Sequence, residues 1–240
     1  VKKISIPEKK IRVLYNGINT LKEYNHNCYH KKNNLKFRIG FIGRLDSPKG
    51  VHVLIDAMHY LKNKSFELVI AGNGVLEGLL KERASTLNNI SFIGRVKNPY
   101  LFMSKIDLLV VPSIREPLGN VCLEAGLCRV PVLAANIDGL PEIIEDKISG
   151  ELIGTTEDVS INLPDDAVPL PEFVVNPVKG DLSAPKQINP SILAKRILKL
   201  SSQDDKLKYY ADELNKKVKN KFSIDRYRHE LHRIYREIDI

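Results

Sequence analysis

Five short apolar runs, separated by stretches of helix length, constrain this chain more than any other feature of it. Phe37–Ile42, Phe66–Ala71, Ile90–Ile93, Asp107–Val111 and Val130–Ala134 read as strands. Phe-Glu-Leu-Val-Ile and Leu-Leu-Val-Val do not alternate cleanly, which predicts burial on both faces, as in a parallel sheet covered by helices. Between them, Gly50–Leu61 reads as a helix with Val51, Leu54, Ile55 and Met58 on one face. Val75–Ala84, Leu118–Leu127 and Leu140–Ile144 read as further helices. Strand–helix alternation at this spacing predicts an α/β fold with a doubly wound parallel sheet. Such sheets bind ligands outside the carboxyl ends of their strands. The loops to inspect are therefore 43–49, 72–74, 94–98 and 112–120.

The regular pattern occupies residues 37–154. Residues 155–188 break it with repeated prolines (Pro164, Pro169, Pro171, Pro177, Pro185), an Asp165-Asp166 pair and little helical periodicity. They read as an inserted loop or hairpin. Asn189-Pro190 then looks like an N-cap followed by proline at the first helical position. Helices follow at about 190–201, 205–220 and 224–238, so residues 189–240 form a helical tail.

Charge narrows the function classes. The net charge is +8 over 240 residues. Residues 1–36 carry nine Lys/Arg against two acids, residues 186–240 fourteen against eight, and residues 37–185 fourteen against nineteen. A nucleic-acid domain puts its basic stripe on the motif-bearing core, and here that core is acidic, so no nucleic-acid partner is expected. Basic ends suit an anionic membrane surface, an acidic partner or plain solvation. No apolar run approaches the roughly 20 residues of a membrane-spanning helix. Cys28, Cys122 and Cys128 form no C-x-x-C pair and are odd in number, which suits buried thiols in a reducing compartment. His26, Cys28 and His30 lack a fourth ligand and read as a solvated loop. His52/His59 and His229/His232 read as surface or core filler. Phe222, Tyr227 and Tyr235, interleaved with Arg226, Arg228, Arg233 and Arg236, read as an amphipathic packing helix.

Two segments carry chemistry. Pro112-Ser113-Ile114-Arg115-Glu116-Pro117-Leu118-Gly119-Asn120-Val121-Cys122-Leu123-Glu124-Ala125 follows the fourth strand. If Pro117 opens the helix, the amides of Leu118, Gly119, Asn120 and Val121 point out of its start and suit a phosphate. Eight helical residues rise about 12 Å, so Glu116 and Glu124 would bracket a ligand with a central diphosphate. Gly43-Arg44-Leu45-Asp46-Ser47-Pro48-Lys49-Gly50 follows the first strand. Arg44 and Lys49 there would neutralise a diphosphate, the guanidinium taking two oxygens at once.

Together these residues resemble the C-terminal, donor-binding half of a retaining glycosyltransferase of family 4, with the glycosyltransferase B fold. The resemblance also takes in Lys10–Ile18, Ala71-Gly72-Asn73-Gly74, Phe92-Ile93-Gly94-Arg95-Val96, Gly139-Leu140-Pro141-Glu142-Ile143-Ile144 and the tail from Lys221 to Tyr235. It implies that Arg44 and Lys49 grip the donor diphosphate and that Glu116 contacts the donor sugar near its anomeric centre. It makes Glu124 the ligand of the ribose hydroxyls and Leu118, Gly119, Asn120 and Val121 the phosphate-binding amides. Arg95 and Val96 would recognise the base through their backbone, with Gly72, Asn73 and Gly74 lining the nucleotide side. No cofactor and no metal ligand is implied, since these cations and amides carry the leaving charge and no D-x-D motif is present. The family retains configuration by a front-face route, so Glu116 is not half of a glycosidase carboxylate pair.

The chain departs from a complete enzyme of this kind. The resemblance makes residues 1–36 an interdomain remnant, and no glycine-rich loop or histidine of an acceptor-binding domain precedes the core. The first residue is Val1. A fragment lacking its acceptor domain, inactive alone, is therefore expected; the alternative is a stand-alone nucleotide-sugar-binding module or partner subunit. Leu118 replaces an aromatic residue in the E-P-F-G pattern, and 155–188 is longer than the usual link. The expected donor is a UDP- or GDP-hexose and the expected acceptor a glycan or lipid-linked glycan, as in polysaccharide or lipopolysaccharide assembly. The expected location is the cytoplasm, with peripheral contact at the inner membrane face left open.

Overall fold

Each apolar run becomes a strand of one sheet. The computed structural model describes residues 7, 10–20, 36–61 and 65–238; Cys28, His26 and His30 lie outside them. The chain forms β1 (Phe37–Ile42), α1 (Val51–His59), β2 (Phe66–Ala71), α2 (Glu77–Arg83), β3 (Ile90–Phe92), α3 (Pro99–Met103) and β4 (Leu108–Val111). It continues through α4 (Asn120–Leu127), β5 (Val132–Asn136), α5 (Leu140–Ile143) and β6 (Glu151–Gly154). A hairpin of β7 (Val174–Asn176) and β8 (Asp181–Ser183) precedes α6 (Pro190–Ser201), α7 (Asp204–Lys221) and α8 (Ile224–Ile238).

The six strands order as β3-β2-β1-β4-β5-β6, and every neighbouring pair is parallel. Phe37 registers with Phe66, and Leu109 with Val132. The chain winds one way through β1, β2 and β3, then crosses back to β4. This is the doubly wound, Rossmann-like arrangement, and its switch point lies between β1 and β4. Every residue of β4 is buried, as its unbroken apolar run requires. On the helix side, α1 packs on α2 and α6, and α4 packs on α3 and α7.

Three local readings need correction. The helix α1 does not bury a single stripe. His52, Val53 and Ala57 are buried along with Val51, Leu54, Ile55 and Met58, because α6 covers the outer side of α1. Burial pushes the His52 imidazole pKa down, while its Nε2 lies 2.8 Å from Gln187 Oε1. β6 and α3 were not foreseen. β6 begins with Glu151, which reads as solvent-facing, yet it is only 1% exposed. Its carboxylate accepts from Lys206 Nζ (2.8 Å), Tyr210 OH (3.0 Å) and the Arg196 guanidinium. Burial opposes ionisation there, but these donors win and hold the carboxyl below its usual range.

The inserted segment is fastened at several points. Thr156 and Glu157 amides donate to Gln187 O at 3.0 Å, and Gln187 Nε2 donates to Ser160 Oγ at 3.0 Å. The Asn189 side chain caps α6 by accepting from Ser191 N (2.9 Å) and Ile192 N (3.2 Å), as foreseen. Residues 10–20 run beside the start of α8. Ile18 N donates to Phe222 O at 2.7 Å, and the Tyr15 and Phe222 rings meet edge to face at 5.6 Å.

Candidate functional site

At the β1/β4 switch point the loops leaving the two strands part and leave a cleft of about 370 Å³. From β1 and its loop it is lined by Phe41, Ile42, Gly43, Arg44 and Lys49. From β4 it is lined by Val111, Ser113 and the run Glu116 to Val121, and Asn16 closes it from the N-terminal segment.

The β1 loop is braced by its neighbours. Gly72 has φ +144°, and a Cβ there would stand 1.8 Å from Gly43 O, so only glycine lets the β2 loop lie this close. Leu45 N donates to Asn73 O at 2.9 Å. Pro48 O accepts from Ile114 N (2.8 Å) and Arg115 N (3.1 Å), which joins the β1 loop to the β4 loop. Gly72, Asn73 and Gly74 are thus supports of the loop that carries Arg44; none of them lines the cleft.

The two cations sit differently. The Arg44 side chain is 71% exposed at the cleft mouth, with its guanidinium 3.2 Å from Asp46. Lys49 is drawn inward, its Nζ 2.7 Å from Glu116 Oε2, with both side chains largely covered. Ser113 Oγ also donates to Glu116 Oε2, at 3.3 Å. Both cations thus have a carboxylate partner, Lys49 in Glu116 and Arg44 in Asp46, but Arg44 alone stays largely exposed, where an entering anion can reach it.

The start of α4 differs from the sequence reading. Pro117 is not the first helical residue. Pro117 and Leu118 make a bend, Gly119 is the N-cap with φ +93°, and the helix begins at Asn120. A left-handed cap favours glycine, and it turns the chain so that the amides of Asn120 and Val121 open the helix. Cys122 N already donates to Gly119 O at 2.8 Å. Leu118 and Gly119 line the cleft ahead of the helix rather than within it. Glu116 accordingly lies outside α4, and the 12 Å rise along a continuous helix does not separate it from Glu124.

Glu124 stands one turn into α4 from Asn120 and is half-buried. Burial pushes its carboxyl pKa up, and it does not line the cleft. Arg95 is exposed and Val96 packs against the core, both beyond the end of β3 and away from the cleft lining. Among the described residues, no group of three or more His, Cys, Asp and Glu side chains is placed to hold a metal ion. Cys122 and Cys128 are buried.

Two residues at the site were not singled out from the sequence. Asn16 Nδ2 donates to Asn120 Oδ1 at 3.1 Å, bringing the N-terminal segment to the helix start. Asp138, just after β5, accepts from Glu116 N at 2.9 Å. Neither bears a local signature, because each acts across a separation of many residues.

The family model for glycosyl transferases group 1 matches residues 27–162, more than half of the chain. The chain belongs to the glycosyl transferases group 1 family. Among curated members, an uncharacterized glycosyltransferase of Methanocaldococcus jannaschii is 33% identical over 195 residues, covering 73% of this chain and 50% of that protein. The capsular polysaccharide biosynthesis glycosyltransferase CapM of Staphylococcus aureus is 29% identical over 201 residues, covering 81% of this chain and 44% of that protein. The chain thus spans about half the length of the group 1 relatives it matches. Among solved structures, Anabaena HepE in complex with UDP and glucose superposes with a TM-score of 0.70 at 21% identity, over 94% of this chain and 57% of that one. That likeness is one of fold, and it agrees with the glycosyltransferase B architecture expected of a group 1 donor half.

Proposed function

We propose that this chain is the donor-binding half of a retaining, family 4-type glycosyltransferase that takes a UDP-hexose. A longer protein would transfer the hexose to a glycan or lipid-linked glycan acceptor. The observation that carries this reading is the convergence, in one cleft at the switch point, of Arg44, Lys49, Glu116 and the start of α4. An α/β sheet of this order offers a ligand that position and no better one.

The chemistry follows from the placement. A diphosphate entering between Arg44 and the Asn120 and Val121 amides meets a guanidinium, a helix dipole and unpaired N–H groups. Its arrival gives Lys49 a second anionic partner, so the ammonium is shared between Glu116 and the phosphate. As the glycosidic bond lengthens, negative charge grows on the departing nucleoside diphosphate, and these fixed donors stabilise it. Glu116, freed in part from Lys49, accepts hydrogen bonds from hydroxyls of the hexose. Glu124, a turn further along α4, takes the ribose hydroxyls at the nucleoside end, with the backbone of Arg95 and Val96 at the base. UDP is favoured over GDP because HepE, a structural neighbour, is solved with UDP and glucose. A polysaccharide acceptor is favoured by the name of CapM. Contact with a membrane surface through the basic ends belongs to the same reading, in a protein with no membrane-spanning helix among its described residues.

Calorimetric titration with UDP, GDP and ADP tests this reading. Micromolar binding of UDP, with weaker or no binding of the other two, supports it. No binding of any of them at millimolar concentration rejects it.

A further inference from the structure

The inserted segment reaches the cleft, and it does so through one carboxylate. Asp138 has φ +45°, a conformation uncommon for a residue with a side chain. One of its oxygens accepts from Glu116 N at 2.9 Å, and the other accepts from Val175 N at 2.7 Å. Its own amide donates to Val175 O at 3.0 Å, and the next amide, Gly139 N, donates to Glu116 O at 3.2 Å. Both backbone groups of Glu116 are therefore held by residues 138 and 139. The same carboxylate is locked to β7 of the hairpin. A second tie runs alongside: Arg115 Nη1 donates to Phe173 O at 3.4 Å, and its guanidinium lies 6.0 Å from the centre of the Phe173 ring. A third joins Ser47 Oγ to Val168 O, two residues from Lys49.

We infer that Asp138 is a positioning residue through which the insertion 155–188 sets the backbone of Glu116, and with it the sugar end of the cleft. A carboxylate supplies two acceptors facing opposite ways, which this junction needs and which no neutral side chain offers equally well. The positive φ is held against its cost by the bonds that the carboxylate and the amide of Asp138 make to Glu116 and Val175. On this account the insertion is a wall of the site rather than a surface ornament. It tunes which hexose Glu116 accepts while leaving the diphosphate grip to Arg44, Lys49 and α4. The role in sugar selection rests on the donor-site reading above; the mechanical coupling does not.

The test uses Asp138→Gly and Asp138→Asn. Glycine adopts φ +45° freely, so Asp138→Gly removes the carboxylate without adding backbone strain. Asparagine also tolerates this conformation, but it presents an NH2 group to one of the two amides. Amide hydrogen exchange, read without any nucleotide, should show Glu116 and Val175 exchanging together about tenfold faster in Asp138→Gly, and only one of them faster in Asp138→Asn. In titrations, the affinity for UDP should stay within twofold of wild type. The affinity for UDP-glucose should fall by about fivefold, the worth of one lost hydrogen bond. Unchanged exchange at Glu116 would overturn the coupling. Equal losses for UDP and UDP-glucose would reduce Asp138 to a merely structural residue. If wild type binds neither nucleotide, the donor reading fails, and exchange alone decides whether Asp138 links the insertion to Glu116.

Discussion

Replacing Lys49 by methionine separates two consequences of the Lys49–Glu116 pair. Lys49 Nζ lies 2.7 Å from Glu116 Oε2, with the lysine side chain 20% and the glutamate side chain 11% exposed. Removing the ammonium leaves a mostly buried carboxylate with Ser113 Oγ, at 3.3 Å, as its remaining side-chain donor. Breaking a fully buried ion pair costs about 3–5 kcal/mol. Partial exposure and the serine lower that here to about 2–3 kcal/mol. For a chain of this size the melting point should fall by about 5–10 °C. Adding Glu116→Gln in the same chain should recover most of the loss, because the stranded charge disappears. For UDP the two substitutions act in opposite directions. Lys49→Met removes a charge-assisted contact worth about 1.5–3 kcal/mol, so the dissociation constant should rise tenfold or more. Glu116→Gln frees the ammonium from its partner, so bare UDP should bind as well as before or several-fold tighter. Differential scanning fluorimetry and calorimetric titration on the four chains of the cycle read both effects. Additive melting shifts, or a Lys49→Met chain that binds UDP like wild type, would refute the reasoning.

Other perturbations probe the supports. Gly119→Ala should weaken UDP binding and destabilise the fold by about 1–2 kcal/mol; the cap has φ +93°, and an added Cβ would stand 2.7 Å from Leu140 Cδ2. Unchanged titration and melting curves would show that the left-handed cap is not needed. Glu151 makes an acid-sensitive contribution. Its carboxyl is held below the usual range by Lys206, Arg196 and Tyr210. The stability it supplies is therefore complete above the unfolded value of about 4.3 and is lost as pH falls through the lower folded value. Glu151→Gln should melt several degrees lower than wild type at pH 7, and the gap should narrow below about pH 4. A gap independent of pH would contradict the assignment. Asn16→Ala should loosen the N-terminal segment from the start of α4, seen as faster proteolysis ahead of residue 20 with little change in melting point.

The fold was legible because most of its strands are short, mainly apolar runs, with β4 buried at every residue. β1 and β2 fall where their runs of Ile, Leu, Val and Phe place them, and the hairpin reading of the insertion is met by β7 and β8. β6 escaped because its first residue is a glutamate, and nothing local reveals that Arg196, Lys206 and Tyr210, from helices far along the chain, satisfy it. The all-round burial of α1 escaped for a similar reason: His52 reads as polar until Gln187 is brought to it. In the cleft, the motif residues Arg44, Lys49, Glu116 and Leu118 to Val121 were visible as a cluster because strand ends and loops concentrate them. The pairing of Lys49 with Glu116 was not, since it joins loops from two strands. The helix start was displaced by two residues because proline at a first helical turn is a favoured pattern, and here the left-handed Gly119 overrides it. Asp138 and Asn16 show the limit most plainly, since each earns its place only through a partner that folding delivers.

A crystal structure with UDP-glucose bound tests the central claim most directly. The diphosphate should lie between Arg44, Lys49 and the Asn120 and Val121 amides, with the hexose against Glu116 and the ribose towards Glu124. A nucleotide found elsewhere, such as in the pocket beside Lys179 and Lys186 at the ends of β5 and β6, would contradict it.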